Sequence, residues 1–168
     1  MPIKLLGAGL IFLSGMMWGM YKAKILADRE RSLKSIITAL GMLESEILFS
    51  SNRLKTALLS IADMSSCRNL FKEAADKMED ESVFNAWTQA VNKVKKEMCL
   101  TEKDAEIVGL LGAELGKSDK EQQIRNIRHV TALLNTAALE AHGEYLTSAK
   151  MYRSLGISGG LFLAILLM

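Results

Sequence analysis

The stretch Gly112–Ser118, "GAELGKS", decides between two fold classes for this 168-residue chain. It is one residue short of the loop GxxxxGK[ST], whose backbone N–H groups bind phosphate in α/β nucleotide hydrolases. That loop needs a glycine five residues before Gly116, where this chain has Leu111. The loop also follows a β-strand, whereas the residues before Gly112 repeat with the period of a helix. The stretch therefore does not predict a nucleotide-binding site.

A corner between two helices explains every residue of the same stretch. Gly116 suits the left-handed backbone position that ends many helices, and Lys117 places a positive charge near the negative end of that helix. Ser118 is predicted to cap the next helix, with Glu121 reaching back as the third residue of an S-x-x-E capping box. The stretch therefore predicts an all-α fold in which Gly116, Ser118 and Glu121 form a structural corner.

Helical periodicity continues on both sides of this corner. The chain has one proline, Pro2, and no alternating run of β-branched residues. Capping signals at Ser82 and Thr101 start further helices, and the polar residues 50–52 are predicted to interrupt the first one. The pattern predicts a bundle of about five to six helices. Its clearest sign is an apolar stripe that recurs every seven residues: Leu26, Leu33, Leu40, Ile47, Leu54 and Ile61.

Both ends of the chain are apolar. Leu5–Tyr21 and Leu155–Met168 contain no charged residue, and basic residues follow the first run and precede the second. We predict a membrane anchor at 1–24, retained because no pair of small residues marks a cleavage site, and a C-terminal membrane segment at 151–168. Residues 25–150 are then predicted to form a cytoplasmic helical bundle, because basic flanks favour the cytoplasmic side.

Two pairs of glycines stand four residues apart inside the apolar ends: Gly15 with Gly19, and Gly156 with Gly160. Small residues at this spacing let helix backbones approach closely in lipid. Because each end carries one pair, we predict that these glycines pack membrane helices, either on each other or on another membrane protein. The spacing leaves that choice open.

Residues that could carry chemistry are few. His129 and His142 lack the spacing of a metal site, and Cys67 and Cys99 are isolated, as is typical of buried thiols in a reducing compartment. We predict no catalytic constellation, no metal and no cofactor, and therefore no enzyme. The net charge of +2 includes basic residues beside the apolar ends. That distribution disfavours nucleic-acid binding and allows contact with anionic membrane lipids.

Acidic residues cluster at 73–81 and at 102–106. Such clusters are either a solvated face with charges at helix starts or a docking surface for a basic partner. The sequence leaves both interpretations open.

The corner belongs to a longer motif, "LGKSDKEQQ" at 115–123. With this motif, the ending "YRSLG" at 152–156 and the segments "LESEILFSSNRL" (43–54) and "NAW" (85–87), the chain resembles the stage III sporulation protein AB family over essentially its full length. One departure is Arg53, where family members often carry proline. That departure leaves the start of the second helix less rigidly set.

The resemblance implies a function outside catalysis. The family belongs to endospore formers, and its members are expected in a secretion-like channel between mother cell and forespore. Their helices are similar to those of the inner-membrane platform proteins of type II secretion and type IV pilus systems. By that similarity the chain would couple a cognate cytoplasmic secretion-type ATPase to other membrane components of the channel. It would lie in the outer forespore membrane, on the mother-cell side, with its soluble domain in the cytoplasm.

Two groups of residues are predicted to contact partners. Glu44 and Glu46 lie on an acidic surface of the first helix, and Asp119, Gln122 and Gln123 lie near the corner. The alternative to a platform is a membrane-anchored structural protein that self-assembles into a homo-oligomer without an ATPase.

Overall fold

The computed structural model describes residues 2–49, 53–116 and 119–167. Over these residues every regular element is a helix, so the predicted all-α fold is confirmed there. The described residues form seven helical segments: α1 (Pro2–Phe49), α2 (Leu54–Met64), α3 (Arg68–Lys77), α4 (Val83–Val94), α5 (Glu102–Gly109), α6 (Leu111–Glu114) and α7 (Lys120–Leu167).

The helices divide into two compact units. Unit 1 comprises Met1–Glu30 and Glu140–Met168, and unit 2 comprises Arg31–Leu139. The predicted membrane segments, 1–24 and 151–168, both fall inside unit 1. Among the described residues, no helix combines the length and the apolar character that crossing a membrane requires. The two predicted spans are therefore not confirmed.

Half of the predicted apolar stripe, Leu33, Leu40 and Ile61, forms part of the core of unit 2. Leu26, Ile47 and Leu54 are only half-buried. Side chains spaced by three or four residues lie on one face of a helix, and burying each leucine-sized group stabilises the fold by about 1.5–3 kcal/mol. The buried positions on the two long helices follow this spacing: Leu33, Ile36, Leu40 and Leu43 on α1, and Ile127, Val130 and Leu134 on α7.

Trp87 on α4 is the largest fully buried side chain of the described residues. Its ring packs edge-on against Phe71 of α3, with ring centroids 5.7 Å apart. Its indole Nε1 donates a 2.8 Å hydrogen bond to the backbone oxygen of Val108 in α5. Gly112 of α6 lies against the same ring, because a Cβ added there would stand 2.9 Å from Trp87 Cδ1. One side chain therefore joins four short helices.

Gly112→Ala is expected to destabilise unit 2, whereas Gly109→Ala is expected to stabilise it. Each replacement removes a helical glycine and gains up to about 1 kcal/mol of helix propensity. Only the Cβ at Gly112 overlaps Trp87, and at Gly109 nothing lies within 4 Å. Overpacking a filled core costs about 1–3 kcal/mol, so the urea midpoints of the two variants should move in opposite directions. Equal shifts would contradict the packing of Gly112 on the indole.

Two short helices of unit 2 start with the predicted caps. Ser82 Oγ accepts the backbone N–H of Asn85 at 3.3 Å and so caps α4. Thr101 and Asp104 form a reciprocal capping box at the start of α5, each side chain accepting the other residue's backbone N–H at 3.1 and 2.9 Å. Asp104 is fully buried, so its carboxylate is a structural cap and offers nothing to a partner.

The predicted corner begins with a helix end. Residues 111–114 form α6, so they do not form the open loop that would wrap around a phosphate. Gly116 has a φ of +77°, the left-handed conformation that glycine adopts without strain. A Cβ at Gly116 would stand 3.2 Å from Val83 and 3.3 Å from Leu54, so the corner packs on the starts of α2 and α4. Lys117 lies outside the described residues.

The long helix α7 starts after Asp119. Asp119 immediately precedes the helix, and its Oδ1 accepts the backbone N–H of Gln122 at 2.7 Å, as an aspartate does at an N-cap. The Glu121 carboxylate pairs one turn onward with Arg125 at 3.5 Å. The cap predicted for Ser118 with Glu121 stays a prediction, because Ser118 lies outside the described residues.

Neither Cys67 nor Cys99 forms a disulfide; Cys67 is buried as predicted, whereas Cys99 is only half-buried. Burial raises the pKa of the Cys67 thiol from 9.0 to about 11. A raised thiol pKa favours the protonated form in the fold, so its contribution to stability is expected to fall as the pH rises from 9 towards 11, where the unfolded thiol ionises first.

Cys67 is expected to react with thiol reagents about 100-fold more slowly at pH 8 than an unperturbed thiol, because the thiolate is the reactive form. Timed alkylation with mass spectrometry of the Cys67 peptide measures this rate in the native and the urea-unfolded chain. A Cys67→Ala variant identifies the slow phase by removing it. Equal rates in the native and unfolded chains would contradict the burial of this thiol.

Candidate interaction surfaces

Unit 1 pairs the two ends of the chain through the predicted glycines. Gly15 and Gly19 of α1 face Gly156 and Gly160 of α7. A Cβ at Gly15 would stand 2.9 Å from the backbone oxygen of Gly156, and a Cβ at Gly19 would stand 2.5 Å from that of Tyr152. The backbones of α1 and α7 lie directly against each other here, and they can approach this closely because glycine has no side chain. The spacing left open whether the glycines pack on each other or on another membrane protein. In the structure the two pairs of glycines pack on each other.

Other glycines of unit 1 lie outside this contact. Ala23 follows Gly19 by one turn and is buried, as is Ala149 on α7. At Gly9 and Gly159 an added Cβ would meet nothing within 4 Å, so these two glycines face away. We call the contact formed by Gly15, Gly19, Gly156 and Gly160 the glycine seam.

Away from the glycine seam, unit 1 exposes large apolar side chains. Met17 is 70% exposed and Phe162 is 65% exposed. Folded soluble proteins rarely expose many such side chains together, and surfaces of this kind usually mark contact with a membrane or a protein. The exposed residues are spread over both helices: Leu10, Leu13, Met17 and Met20 on α1, and Leu155, Ile157, Leu161, Phe162 and Ile165 on α7.

Two polar pairs also join α1 to α7 in unit 1. Arg29 Nη1 donates to Glu144 Oε2 at 2.6 Å, and Arg29 is only 7% exposed. His142 Nδ1 lies 3.0 Å from Glu30 Oε1. A buried guanidinium needs a compensating carboxylate, so the Arg29–Glu144 pair favours one register of the two helices.

Glu44, a predicted partner contact, already has a partner within unit 2. Nε and Nη2 of Arg128 both lie 2.7 Å from Glu44 Oε1. The Glu44 side chain is 22% exposed and that of Arg128 is 66% exposed. Glu46, the second predicted contact, is half-buried and also interacts within the chain. A protein docking on this face would therefore meet an ion pair with an accessible arginine rather than two isolated carboxylates.

The predicted contacts near the corner have roles at the start of α7. Asp119 caps the helix and is exposed. Gln122 Oε1 accepts a 2.7 Å hydrogen bond from Arg125 Nη2. Gln123 is half-buried and interacts within the chain. These roles account for Asp119 and Gln122 without a partner, and partner binding at the corner stays a prediction.

Two of the five carboxylates of the acidic cluster at 73–81 are paired with lysines. Lys93 Nζ donates to Glu73 at 2.7 Å, and Lys55 Nζ donates to Glu79. The hydrogen bond from Lys55, together with its charge, lowers the pKa of the Glu79 carboxyl. Compensated carboxylates attract a basic partner weakly, so Glu73 and Glu79 are better described as part of a solvated face.

The described residues contain no group of three or more His, Cys, Asp or Glu side chains that could hold a metal ion. The groove between α3 and α4 holds about 350 Å³ and is lined by charged and amide side chains. Two pairs of them bond across it, Lys93 with Glu73 at 2.7 Å and Asn69 with Glu97 at 2.7 Å. Both pairs are hydrogen bonds between polar side chains at the surface, and neither combines a nucleophile with a general base.

The fold and these surfaces define a class of protein. It is an all-helical chain whose two ends pair through glycines and expose apolar side chains, and whose middle forms a helical unit with a charged exterior. Its described surfaces are suited to binding other molecules.

Comparisons with known proteins identify the family within that class. The family model for stage III sporulation protein AB matches residues 4–168. The stage III sporulation protein AB of Bacillus subtilis (strain 168) is 32% identical over 171 residues, which cover 99% of each chain. A solved structure of stage III sporulation protein AB (SpoIIIAB) matches with a TM-score of 0.65 at 26% identity, over 70% of this chain and 96% of that one. The chain belongs to the stage III sporulation protein AB family, a family of sporulation proteins rather than a known enzyme family.

Proposed function

We propose that this protein is a non-enzymatic platform or adaptor subunit of a secretion-like channel between mother cell and forespore. In this role it couples a cognate cytoplasmic secretion-type ATPase to other membrane components of the channel. The end segments 1–24 and 151–168 lie in the outer forespore membrane, and residues 25–150 lie in the mother-cell cytoplasm. A platform breaks no bonds, so it needs one surface for the membrane assembly and another for the soluble motor.

The observation that carries this proposal is the difference between the exposed side chains of the two units. Unit 1 exposes residues such as Met17 and Phe162, which suit lipid or a membrane partner. Unit 2 exposes charged side chains, among them Arg128 at 66%, which suit a water-soluble partner. Family membership supports the sporulation context of both surfaces.

The Glu44–Arg128 pair is the first candidate for the ATPase-binding face. An ion pair at the rim of an interface contributes to orientation and association rate more than to raw affinity. Because Arg128 is the more exposed member, a partner can compete for Glu44 or add a carboxylate to Arg128. Separating these two possibilities requires variants that break the same pair from opposite sides.

Replacing Glu44 and Glu46 by Gln is expected to weaken ATPase binding about tenfold, because two carboxylates are lost from the docking face. Arg128→Gln is the matched control, since it breaks the same 2.7 Å contact but keeps both carboxylates. Biolayer interferometry on full-length chains in nanodiscs measures the two affinities. Unchanged binding by Glu44→Gln/Glu46→Gln together with weakened binding by Arg128→Gln would show that the ATPase contacts Arg128 rather than the two carboxylates. Unchanged binding by both variants would remove this face from the proposal.

Self-assembly without an ATPase is the second candidate function. The exposed apolar side chains of unit 1 suit contact with another copy as well as with lipid. Nanodiscs that each hold one copy, compared with vesicles that hold many copies, separate the two candidates. Saturable ATPase binding by the single copies supports the platform. Absence of ATPase binding together with ordered oligomers in the vesicles supports self-assembly.

A further inference from the structure

Aromatic and basic side chains gather at one level of the α1–α7 pair in unit 1. The rings of Trp18 and Tyr152 meet edge to face, with centroids 6.1 Å apart, so these two turns lie side by side. Lys22 Nζ lies 5.9 Å from the centroid of the Trp18 ring. Tyr21 and Arg153 are the sequence neighbours of this cluster, and both are exposed. We call these five residues the aromatic–basic belt.

The belt is accessible from outside the helix pair. Trp18 is 52% exposed and Tyr21 is 63% exposed, while Lys22 and Arg153 are exposed and Tyr152 is half-buried. Trp and Tyr combine an apolar ring with a polar group that needs a hydrogen-bond partner. Together with Lys and Arg they concentrate at the boundary between hydrocarbon and lipid headgroups.

The belt separates two levels of unit 1 with different chemistry. On its side towards the chain ends, the large exposed side chains are apolar, including Leu13 on α1 and Phe162 on α7. On its other side stands the ion pair of the buried Arg29 with the exposed Glu144. This order of apolar surface, aromatic–basic level and polar level is the order of hydrocarbon, headgroups and water across one leaflet of a membrane.

The charge of the belt is positive over a wide stretch of both helices. The chain contains no Asp or Glu before Asp28 or after Glu144. At 1.5 Å per residue, Asp28 lies about 9 Å along α1 from Lys22, and Glu144 lies roughly 13 Å along α7 from Arg153. Each basic residue near an anionic membrane surface contributes about 1 kcal/mol of attraction. The belt is therefore complementary to negatively charged lipid.

We propose that the aromatic–basic belt binds the headgroups of anionic phospholipids. Lys22 and Arg153 contact the phosphates, and the rings of Trp18, Tyr21 and Tyr152 lie at the depth of the headgroups. This inference rests on the membrane placement of unit 1 in the proposed function and adds the class of lipid that the protein selects. Binding to anionic headgroups then fixes how deeply the α1–α7 pair lies in the membrane.

Trp18 fluorescence in lipid vesicles tests the proposal with the full-length chain. Two vesicle preparations contain phosphatidylcholine and a minority of phosphatidylglycerol. In one preparation the phosphatidylglycerol carries bromine on its acyl chains, and in the other the phosphatidylcholine does. Bromine close to Trp18 quenches its fluorescence. Quenching by the brominated phosphatidylglycerol is expected to exceed its share of the lipid about fivefold, the factor that corresponds to roughly 1 kcal/mol. A Trp18→Phe variant measures the background from Trp87, the second tryptophan of the chain, which is buried.

Charge variants identify the residues responsible for this selection. Lys22→Gln/Arg153→Gln is expected to abolish the enrichment, whereas Lys72→Gln/Lys96→Gln, which removes the same charge from exposed positions of unit 2, is expected to keep it. Equal quenching by both lipids in the unsubstituted chain, or an enrichment that survives the belt variant, would overturn the inference and leave membrane placement intact. Absence of quenching by either lipid would overturn both.

Discussion

Gly19→Leu is expected to force α1 and α7 apart in unit 1, towards the about 8–10 Å axis separation of ordinary packed helices. A Cβ at Gly19 would stand 2.5 Å from the backbone oxygen of Tyr152 and 3.2 Å from Gly156 Cα. Backbone atoms have no rotamer change that could relieve the overlap. The free-energy cost is therefore expected to reach at least the upper end of the about 1–3 kcal/mol typical of overpacking.

Spin labels on the exposed residues Met20 and Ser154, in a cysteine-free background, measure this separation by pulsed electron resonance. Gly9→Leu and Gly159→Leu are matched controls, because they place the same side chain on the same helices where nothing lies within 4 Å. Both controls are expected to keep the native distance. An unchanged distance in Gly19→Leu would show that the glycine seam does not set the separation of the helices.

Trp87→Ala is expected to destabilise unit 2 by about 3–5 kcal/mol, the usual cost of removing a buried aromatic side chain. The substitution removes the contact with Phe71, the hydrogen bond to the Val108 oxygen and the surface on which Gly112 packs. That loss is a large part of the about 5–15 kcal/mol that stabilises a typical domain. α3, α4, α5 and α6 are expected to lose their common contact together.

Urea unfolding followed by circular dichroism measures the effect, with Trp87→Phe as the control. Phenylalanine keeps an aromatic ring but lacks the indole N–H, so about 1–2 kcal/mol should be lost. Trp18 remains in both variants and reports on unit 1 by its fluorescence. A loss from Trp87→Ala no larger than that from Trp87→Phe would contradict the central position of this residue.

Local sequence signals predicted the helices of this chain well. Leu33, Leu40 and Ile61 of the predicted stripe are buried, and the Thr101–Asp104 capping box is formed with both hydrogen bonds. These features depend on residues within a few turns of one another, so spacing alone identifies them. At the start of α7 the cap was predicted on Ser118, which lies outside the described residues, and the cap that the structure shows is Asp119. Ser and Asp are equally good caps, so the sequence does not say which of them starts the helix.

Contacts between distant parts of the chain could not be predicted in the same way. Glu44 was identified as an acidic contact, but its pairing with Arg128, 84 positions away, was not. The Arg29–Glu144 pair spans 115 positions. One sequence contains no signal for such pairs, since any exposed carboxylate has several arginines and lysines as possible partners. Arg29 lies beside the apolar N-terminal end, and that position was the one available hint of burial.

The glycine seam could be predicted from the sequence only in part. The four-residue spacing of Gly15 with Gly19 and of Gly156 with Gly160 identified glycines that lie in the contact between α1 and α7, and their packing inside a membrane stays a prediction. It did not distinguish contact within the chain from contact with another membrane protein, because close approach needs the same small residues in either case. Only the paired helices show that the two spacings meet each other.

In the proposed platform, unit 2 contacts a soluble ATPase and unit 1 contacts the membrane assembly. Site-specific photocrosslinking in sporulating cells tests this division, with the probe at Ser45 beside Glu44, at Asn92 as a control on α4, or at Met17 in unit 1. All three positions are exposed. A platform should give an adduct with the ATPase from Ser45, weaker or no adduct from Asn92, and adducts with lipid or membrane proteins from Met17. Adducts from Ser45 and Met17 that contain only further copies of this chain would contradict the platform role.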